Sequence, residues 1–268
     1  MVDSQTTIAL TEAVAVAQRG QSLFQLTVKV APDPAWANPG VLAKLRAWEP
    51  APKAYPLLDR PFTPHLYRPD LGELSFLIRP VGPGTRALAS LRPGAQVRLT
   101  GPLGRGLADL DPNFVSRPLY LVAGGVGLAP MANLLAAQKA PARLFYGERR
   151  GQDLMDRDYL ASFAPDFAAA AQDGQGYGEK GLATDLLVRA LAQEKRAIFA
   201  CGPPGLLAAL APLARKLGLR YFAAVEAFMA CGLGVCLSCA KALTGGARIR
   251  LCQDGPVVDG LSLDWSAP

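Results

Sequence analysis

Residues 119–130 read LYLVAGGVGLAP, and this stretch decides the fold of the second half of the chain. The apolar run at 119–123 indicates a strand buried on both faces, and the glycines after it predict a tight turn into a helix over 130–138. Two further strands are predicted at 143–147 and 197–200, and two further helices at 182–191 and 205–217. Buried strands that alternate with helices predict a doubly wound parallel sheet.

The residues before this stretch have a different pattern. Short strands with alternating apolar and polar residues are predicted at 7–10, 23–30, 74–79 and 96–99. Pro and Gly separate several of these strands, which predicts a small antiparallel β-barrel. We therefore expect a barrel domain over 1–108, a parallel α/β domain over 109–222 and a small C-terminal domain over 223–268. Residues 33–59, rich in Pro and Ala, predict no definite element.

Length, composition and charge limit the class of protein. The chain has 268 residues, 50% of them hydrophobic, which is enough for two cores. It contains neither a long uncharged apolar run nor a basic N-terminal leader, so we expect a cytoplasmic protein without a membrane partner. The net charge of +6 is spread along the chain without a stripe of basic and aromatic residues, so no nucleic-acid partner is expected.

Four of the five cysteines lie close together near the C-terminus, at Cys231, Cys236, Cys239 and Cys252. The spacing of the first three, x4 and then x2, matches that of plant-type [2Fe–2S] proteins. Glycines between them allow the backbone to wrap closely around sulfide. Structural zinc and free thiols are the alternatives, but zinc sites usually pair two short C-x2-C motifs and only one occurs here. The pattern therefore favours a [2Fe–2S] cluster.

Two motifs in the predicted barrel are typical of flavin binding. In Arg60-Pro61-Phe62-Thr63, the guanidinium can face a pyrophosphate while the hydroxyl faces an isoalloxazine ring. Gly82-Pro83-Gly84-Thr85 precedes a short helical segment, predicted to be capped by Thr85, whose start can face a phosphate. A surface turn and a plain capped turn are the structural alternatives. The occurrence of both motifs on one predicted barrel favours a flavin.

The turn after the strand at 119–123 carries Gly124, Gly125 and Gly127. It resembles the dinucleotide-binding fingerprint, except that Pro130 occupies the place of the third glycine. Because the turn opens an α/β domain, the pattern predicts a nicotinamide cofactor.

Cys201, Gly202 and Pro203 follow the predicted strand at 197–200. The carboxyl ends of parallel strands line the ligand crevice, so we expect Cys201 near the nicotinamide, although a small buried side chain before a turn would look the same. Arg149 and Arg150 could face an NADP phosphate or only solvent, and we expect NAD.

The order of these parts resembles the ferredoxin–NADP reductase superfamily. Within it, MACGLGVC at 229–236 and CQDGPV at 252–257 are similar to the electron-transfer subunits of NAD-linked dihydroorotate dehydrogenases, and GEKGLATD at 178–185 agrees with them. Three departures are visible: Thr63 replaces a serine, the stretch at 35–59 is longer, and the acidic run before Gly174 is reduced to Asp173.

The resemblance implies cofactors, a partner and an activity. It implies FAD at Arg60, Pro61, Phe62, Thr63, Leu77, Ile78, Arg79, Gly84 and Thr85. It also implies a catalytic partner subunit that carries FMN and oxidises dihydroorotate in pyrimidine biosynthesis, in a heterotetramer with two copies of each subunit. Electrons would then pass from FMN through the cluster and FAD to NAD, without a catalytic side chain in this chain.

For that route the cluster must lie at the subunit interface. We expect the apolar residues around it, Phe228, Met229, Leu233 and Leu237, to help form that surface. Two alternatives stay open: a ferredoxin-linked or hydrogenase-linked reductase of the same superfamily, and a flavin-free binding module stabilised by zinc.

Overall fold

In the computed structural model, which describes residues 7–48 and 58–267, the chain forms two seven-stranded sheets and a smaller cysteine-rich segment. The strands of the first sheet are β1 (Thr7–Gln18), β2 (Phe24–Lys29), β3 (Leu42–Ala47), β4 (Arg60–Phe62), β5 (Pro64–Arg68), β6 (Glu73–Ile78) and β7 (Gln96–Leu103). Their order is β4-β3-β7-β1-β2-β6-β5, and every neighbouring pair is antiparallel.

The first sheet is curled into a barrel by its connectivity. Strands β4 and β5 lie at opposite ends of the strand order, yet only Thr63 separates them in the chain. The two ends of the sheet must therefore meet at Thr63. Side chains such as Leu26, Leu45 and Phe76 fill the interior, and the short helix α1 (Pro83–Ala89) covers one opening through Leu88.

The stretch at 33–59 contains an element that the sequence pattern did not predict. Strand β3 pairs with both β7 and β4 and is part of the barrel wall. Its residues 43–47, AKLRA, alternate apolar and polar residues as the other barrel strands do, but this short run stands in a stretch otherwise rich in Pro and Ala. Residues 49–57 of this stretch lie outside the described residues, as do residues 1–6 and residue 268.

The second sheet has the order β11-β10-β9-β8-β12-β13-β16. Its strands are β8 (Leu119–Gly124), β9 (Ala142–Glu148), β10 (Phe167–Ala171), β11 (Glu179–Lys180), β12 (Ala197–Cys201), β13 (Tyr221–Ala224) and β16 (Val257–Asp259). All neighbours are parallel except β16, which is antiparallel to β13. The chain winds outward from β8 in both directions, so the switch point for ligand binding lies between β8 and β12.

Helices cover both faces of this sheet, as a doubly wound fold requires. They are α2 (Leu107–Leu110), α3 (Met131–Ala137), α4 (Arg157–Phe163), α5 (Ala183–Leu191) and α6 (Pro204–Leu217). Leu187 of α5 and Leu210 of α6 pack on one face, and Leu134 of α3 and Leu160 of α4 pack on the other. Within residues 7–48 and 58–267, no helix has the length and apolar character needed to cross a membrane.

The cysteine-rich segment is a long insertion between two neighbouring strands of the parallel sheet. It contains a hairpin of β14 (Ala240–Ala242) and β15 (Arg248–Arg250), followed by the short helix α7 (Leu251–Asp254). The chain then returns to the sheet as β16, beside β13. The predicted boundary between residues 222 and 223 falls inside β13, and Cys239 and Cys252 share the hydrophobic core of the parallel sheet.

Candidate cofactor sites

A cavity of about 300 Å³ lies between the barrel and the parallel sheet. Its barrel side is formed by Pro61, Phe62, Thr63, Leu77 and Arg79. Its opposite side includes Cys201, Glu226 and Met229. The cavity thus brings together two of the three predicted flavin segments and the predicted nicotinamide cysteine, in a mostly apolar space suited to a flat aromatic ring.

The third predicted flavin segment adjoins this cavity through Arg60. The Arg60 guanidinium lies against Gly84, so a Cβ at Gly84 would be 3.0 Å from Arg60 Nε. This places the positive charge beside the start of α1, where a pyrophosphate would fit. The residues present therefore fit FAD.

Two predicted flavin residues are placed differently from the others. Ile78 is fully buried in the barrel core and does not line the cavity. Thr85 was expected to cap α1 from outside the helix. The helix instead begins at Pro83, so Thr85 lies within its first turn. The Thr85 hydroxyl accepts the Gly82 N–H at 3.0 Å and donates to the Gly82 carbonyl, so its single O–H donor is already used within the turn.

A larger cavity, of about 830 Å³, lies at the carboxyl ends of the parallel strands. Its lining residues come from the ends of β8, β9 and β12 and from the start of α5: Gly124, Gly125, Gly147, Glu148, Arg149, Arg150, Ala183, Thr184, Pro203 and Gly205 are among them. Both its size and its position at the switch point fit a dinucleotide.

The glycine turn and the Cys201 turn pack directly against each other. A Cβ on Gly127 would be 2.1 Å from the Cys201 carbonyl oxygen, and one on Gly202, where φ is +156°, would be 3.0 Å from Gly124 N. Gly127 is therefore needed for the close packing of these two turns, and it does not line the larger cavity. Cys201 lines the smaller, flavin-sized cavity, where burial, followed by the nearby Glu226 charge, raises the pKa of its thiol.

Two acidic residues at these cavities were not among the predicted site residues. Glu226 lines the smaller cavity, and desolvation raises the pKa of its carboxyl. Glu148 ends β9, is buried and binds Arg79, which lines both cavities. Glu148 ends the second strand of this domain, 21 residues after Gly127, and dinucleotide-binding folds carry an acidic residue at this place. This spacing is visible in the sequence.

Three of the four predicted cluster ligands lie on one loop, residues 226–239, that has no regular secondary structure, and the fourth, Cys252, lies in α7. Gly232 and Gly234 have φ values of +75° and +79°, which a side chain would strain. Because of these turns the loop backbone faces the sulfurs: Leu233 N donates to Cys231 Sγ at 3.3 Å. The Gly234 backbone also hydrogen-bonds the Cys252 thiol.

The sulfurs form two pairs. Cys239 Sγ and Cys252 Sγ are 3.3 Å apart, too far for a disulfide of about 2.05 Å. Cys236 interacts with the Cys231 side chain, and hydrogen bonds from Ser238 and Cys231 lower the pKa of its thiol to about 6. Two pairs of thiols fit a two-iron cluster better than a single zinc ion.

The cysteine loop also borders the flavin-sized cavity. Met229 and Leu251 line the cavity, and they lie two residues before Cys231 and one residue before Cys252. Both residues belong to the hydrophobic core that also contains Cys239 and Cys252, so this core connects the cavity with one of the two cysteine pairs.

Comparisons with known proteins agree with this arrangement. The chain matches an "oxidoreductase NAD-binding domain" over residues 121–211 and the "iron-sulfur cluster binding domain of dihydroorotate dehydrogenase B" over residues 226–264. Among solved structures, it resembles the NADH-dependent reduced ferredoxin-NADP oxidoreductase, with a TM-score of 0.79 and 23% identity over 96% of this chain and 91% of that one. Phthalate dioxygenase reductase gives a TM-score of 0.62 and 13% identity over 91% and 94% of the two chains.

These structures confirm the predicted fold class, and the protein relatives identify the family. The electron transfer subunit of dihydroorotate dehydrogenase B (NAD(+)) from Clostridium acetobutylicum is 32% identical over 84% of this chain and 86% of its own length. The subunit of the same name from Desulforamulus reducens is 31% identical over 88% and 90% of the two chains. The chain therefore belongs to the family of electron transfer subunits of NAD(+)-linked dihydroorotate dehydrogenase B.

Proposed function

We propose that this chain carries electrons between the FMN of a dihydroorotate-oxidising partner and NAD, through a [2Fe–2S] cluster on Cys231, Cys236, Cys239 and Cys252 and through FAD. The observation that carries the proposal is the shared lining of the flavin-sized cavity by Met229 and Leu251, next to the first and last cluster ligands. A flavin exchanges electrons singly with a cluster and in pairs with a nicotinamide.

The protein's own residues hold and separate the cofactors in this scheme. Arg60 and Gly84 would hold the FAD phosphates, and Phe62 and Thr63 would face its ring. The glycine turn and the end of β9 would hold NAD in the larger cavity, with Arg79 between the two sites. Arg150 donates to Asp153 at 2.7 Å, so part of its charge is already neutralised, which favours NAD over the phosphorylated cofactor.

The partner is proposed to bind over the cysteine loop. Phe228 is 92% exposed and Val235 is 78% exposed, and Leu233 and Leu237 are exposed beside them. Met229, expected on this surface, is instead only 8% exposed and faces the core. Aromatic and aliphatic side chains exposed together mark an interaction surface. The two-plus-two stoichiometry and a cytoplasmic location stay predictions.

The test is coexpression of the chain with its FMN-carrying partner, followed by quantification of iron, sulfide and flavin. We expect two irons, two sulfides and one FAD per chain, together with NAD-linked orotate formation. Zinc in place of iron, or a colourless protein, would overturn the proposal. Copurification with a ferredoxin or a hydrogenase subunit, without dihydroorotate oxidation, would support the related reductase instead.

Two cysteine substitutions provide a further test and its matched control. Cys236→Ser should lose the cluster and NAD-linked orotate formation but keep NADH oxidation by artificial acceptors, because the flavin and nicotinamide sites do not involve Cys236. Cys201→Ser, outside the cysteine loop, should keep its iron and sulfide. If Cys236→Ser retains full orotate formation, electrons do not pass through this cluster.

A further inference from the structure

Lys44 brings a buried positive charge to the cysteine loop. It lies on β3 of the barrel and is 6% exposed. Its Nζ donates to the carbonyl oxygens of Ala230 at 2.5 Å and of Cys231 at 3.1 Å. No carboxylate in the described part of the chain forms an ion pair with it. A lysine is rarely buried without a countercharge, so this placement needs a reason.

The aliphatic stem of Lys44 also supports the loop. Gly232 packs on it so closely that a Cβ at Gly232 would be 2.8 Å from Lys44 Cδ. In the β3–β4 register Lys44 is opposite Pro61, which lines the flavin-sized cavity. Lys44 therefore lies where the barrel, the flavin cavity and the first cysteine of the loop meet.

Arg250, at the end of β15, provides a contrasting cation beside the same loop. Its Nη1 donates to the Gly234 carbonyl at 3.3 Å, so it too contacts the loop backbone. It is exposed, however, and its charge is compensated by Asp254 at 3.4 Å. Of these two cations, Lys44 is the buried one and has no carboxylate partner within residues 7–48 and 58–267, so its field at the sulfurs is screened far less than that of Arg250.

We propose that Lys44 is a positioning residue that fixes the backbone of Cys231 and raises the reduction potential of the cluster. The inference rests on the assignment of the four cysteines as cluster ligands. Four thiolates and two sulfides make the site negative, and reduction adds one more negative charge. A nearby buried cation stabilises the reduced form more than the oxidised form, and hydrogen bonds and net charge are known to set cluster potentials.

The experiment compares Lys44→Met, Lys44→Gln and Lys44→Arg with the wild-type chain, all loaded with FAD and cluster. A redox titration followed by electron paramagnetic resonance measures the cluster potential. In Lys44→Met we expect the ratio of reduced to oxidised cluster at a fixed ambient potential to fall about tenfold, which is about 59 mV for one electron. Lys44→Arg should retain most of the wild-type ratio because it keeps the charge.

Lys44→Gln and hydrogen exchange separate the charge from the hydrogen bonds. Gln keeps an N–H donor without the charge, so its potential should fall as in Lys44→Met. Amide exchange over residues 228–236 should increase most in Lys44→Met, which loses both contacts. Arg250→Met is the matched control and should shift the ratio by less than about twofold.

The outcomes distinguish this inference from the proposed function. A wild-type chain without a two-iron cluster would overturn both. A full cluster with an unchanged potential in Lys44→Met and Lys44→Gln would overturn the inference alone, as would an equal shift in Arg250→Met.

Discussion

Arg79 and Glu148 join the two sheets through a two-point ion pair. Arg79 follows β6 of the barrel and Glu148 ends β9 of the parallel sheet. Arg79 Nη2 lies 2.5 Å from Glu148 Oε1, and Nη1 lies 3.3 Å from Oε2. The Tyr146 hydroxyl donates to the same carboxylate at 2.8 Å. Arg79 lines both the flavin-sized and the dinucleotide-sized cavity, so the pair ties the walls of the two cavities together.

The first prediction concerns this pair. Glu148→Ala should lower the free energy of unfolding by about 2 kcal/mol, because it leaves a half-buried guanidinium without its partner. Glu179→Ala, which breaks the exposed pair with Arg189, should cost less than about 0.5 kcal/mol. Urea unfolding of both variants gives the comparison, and equal losses would show that the Arg79 pair does not hold the sheets together.

The second prediction concerns pH and His65, the single histidine of the chain. His65 joins the barrel to the parallel domain: its Nδ1 lies 2.9 Å from the Ala129 carbonyl and its Nε2 3.0 Å from the Tyr159 hydroxyl. Desolvation lowers its pKa from 6.5 to about 4 in the folded chain. Between these values the unfolded state binds more protons, so folding stability present above pH 6.5 is lost as the pH falls toward 4.

The expected loss is about 3 kcal/mol by pH 4, most of it absent in His65→Gln. Unfolding measured at several pH values in this window checks the slope. Because no other histidine titrates, labelled imidazole carbon resonances report the pKa directly. A His65 signal that titrates near 6.5 in the folded protein would contradict the prediction.

The third prediction concerns the glycine turn. Gly127→Ala places a Cβ 2.1 Å from the Cys201 carbonyl, a backbone atom that cannot move without displacing β12. We expect a loss of at least about 2 kcal/mol in stability and weaker NAD binding. Gly205→Ala, in the first turn of α6 with no atom within 4 Å of its Cβ, should instead leave stability unchanged or raise it by up to about 1 kcal/mol. Thermal unfolding without NAD compares the two.

The features predicted from sequence are those encoded within a few residues. The cysteine spacing, the glycine turn and the apolar strands each lie within one short segment, and their fold class and family are confirmed. Lys44 contacts Ala230, 186 residues further along the chain, and no local pattern carries such a contact. The return of β16 to the parallel sheet was missed for the same reason, since its pairing depends on β13, more than thirty residues earlier.

The fourth prediction concerns the exposed apolar surface over the cysteine loop. Phe228→Ser should weaken binding of the FMN-carrying partner by about tenfold or more, because a large exposed aromatic is the type of residue that dominates binding energy. It should leave iron and flavin content unchanged, since its side chain contributes little to the core. Leu71→Ser is the control: Leu71 is also exposed, but it lies on the turn between β5 and β6. Titration calorimetry of the purified subunits measures both affinities, and an equal loss for both variants would mean that the partner does not bind over the cysteine loop.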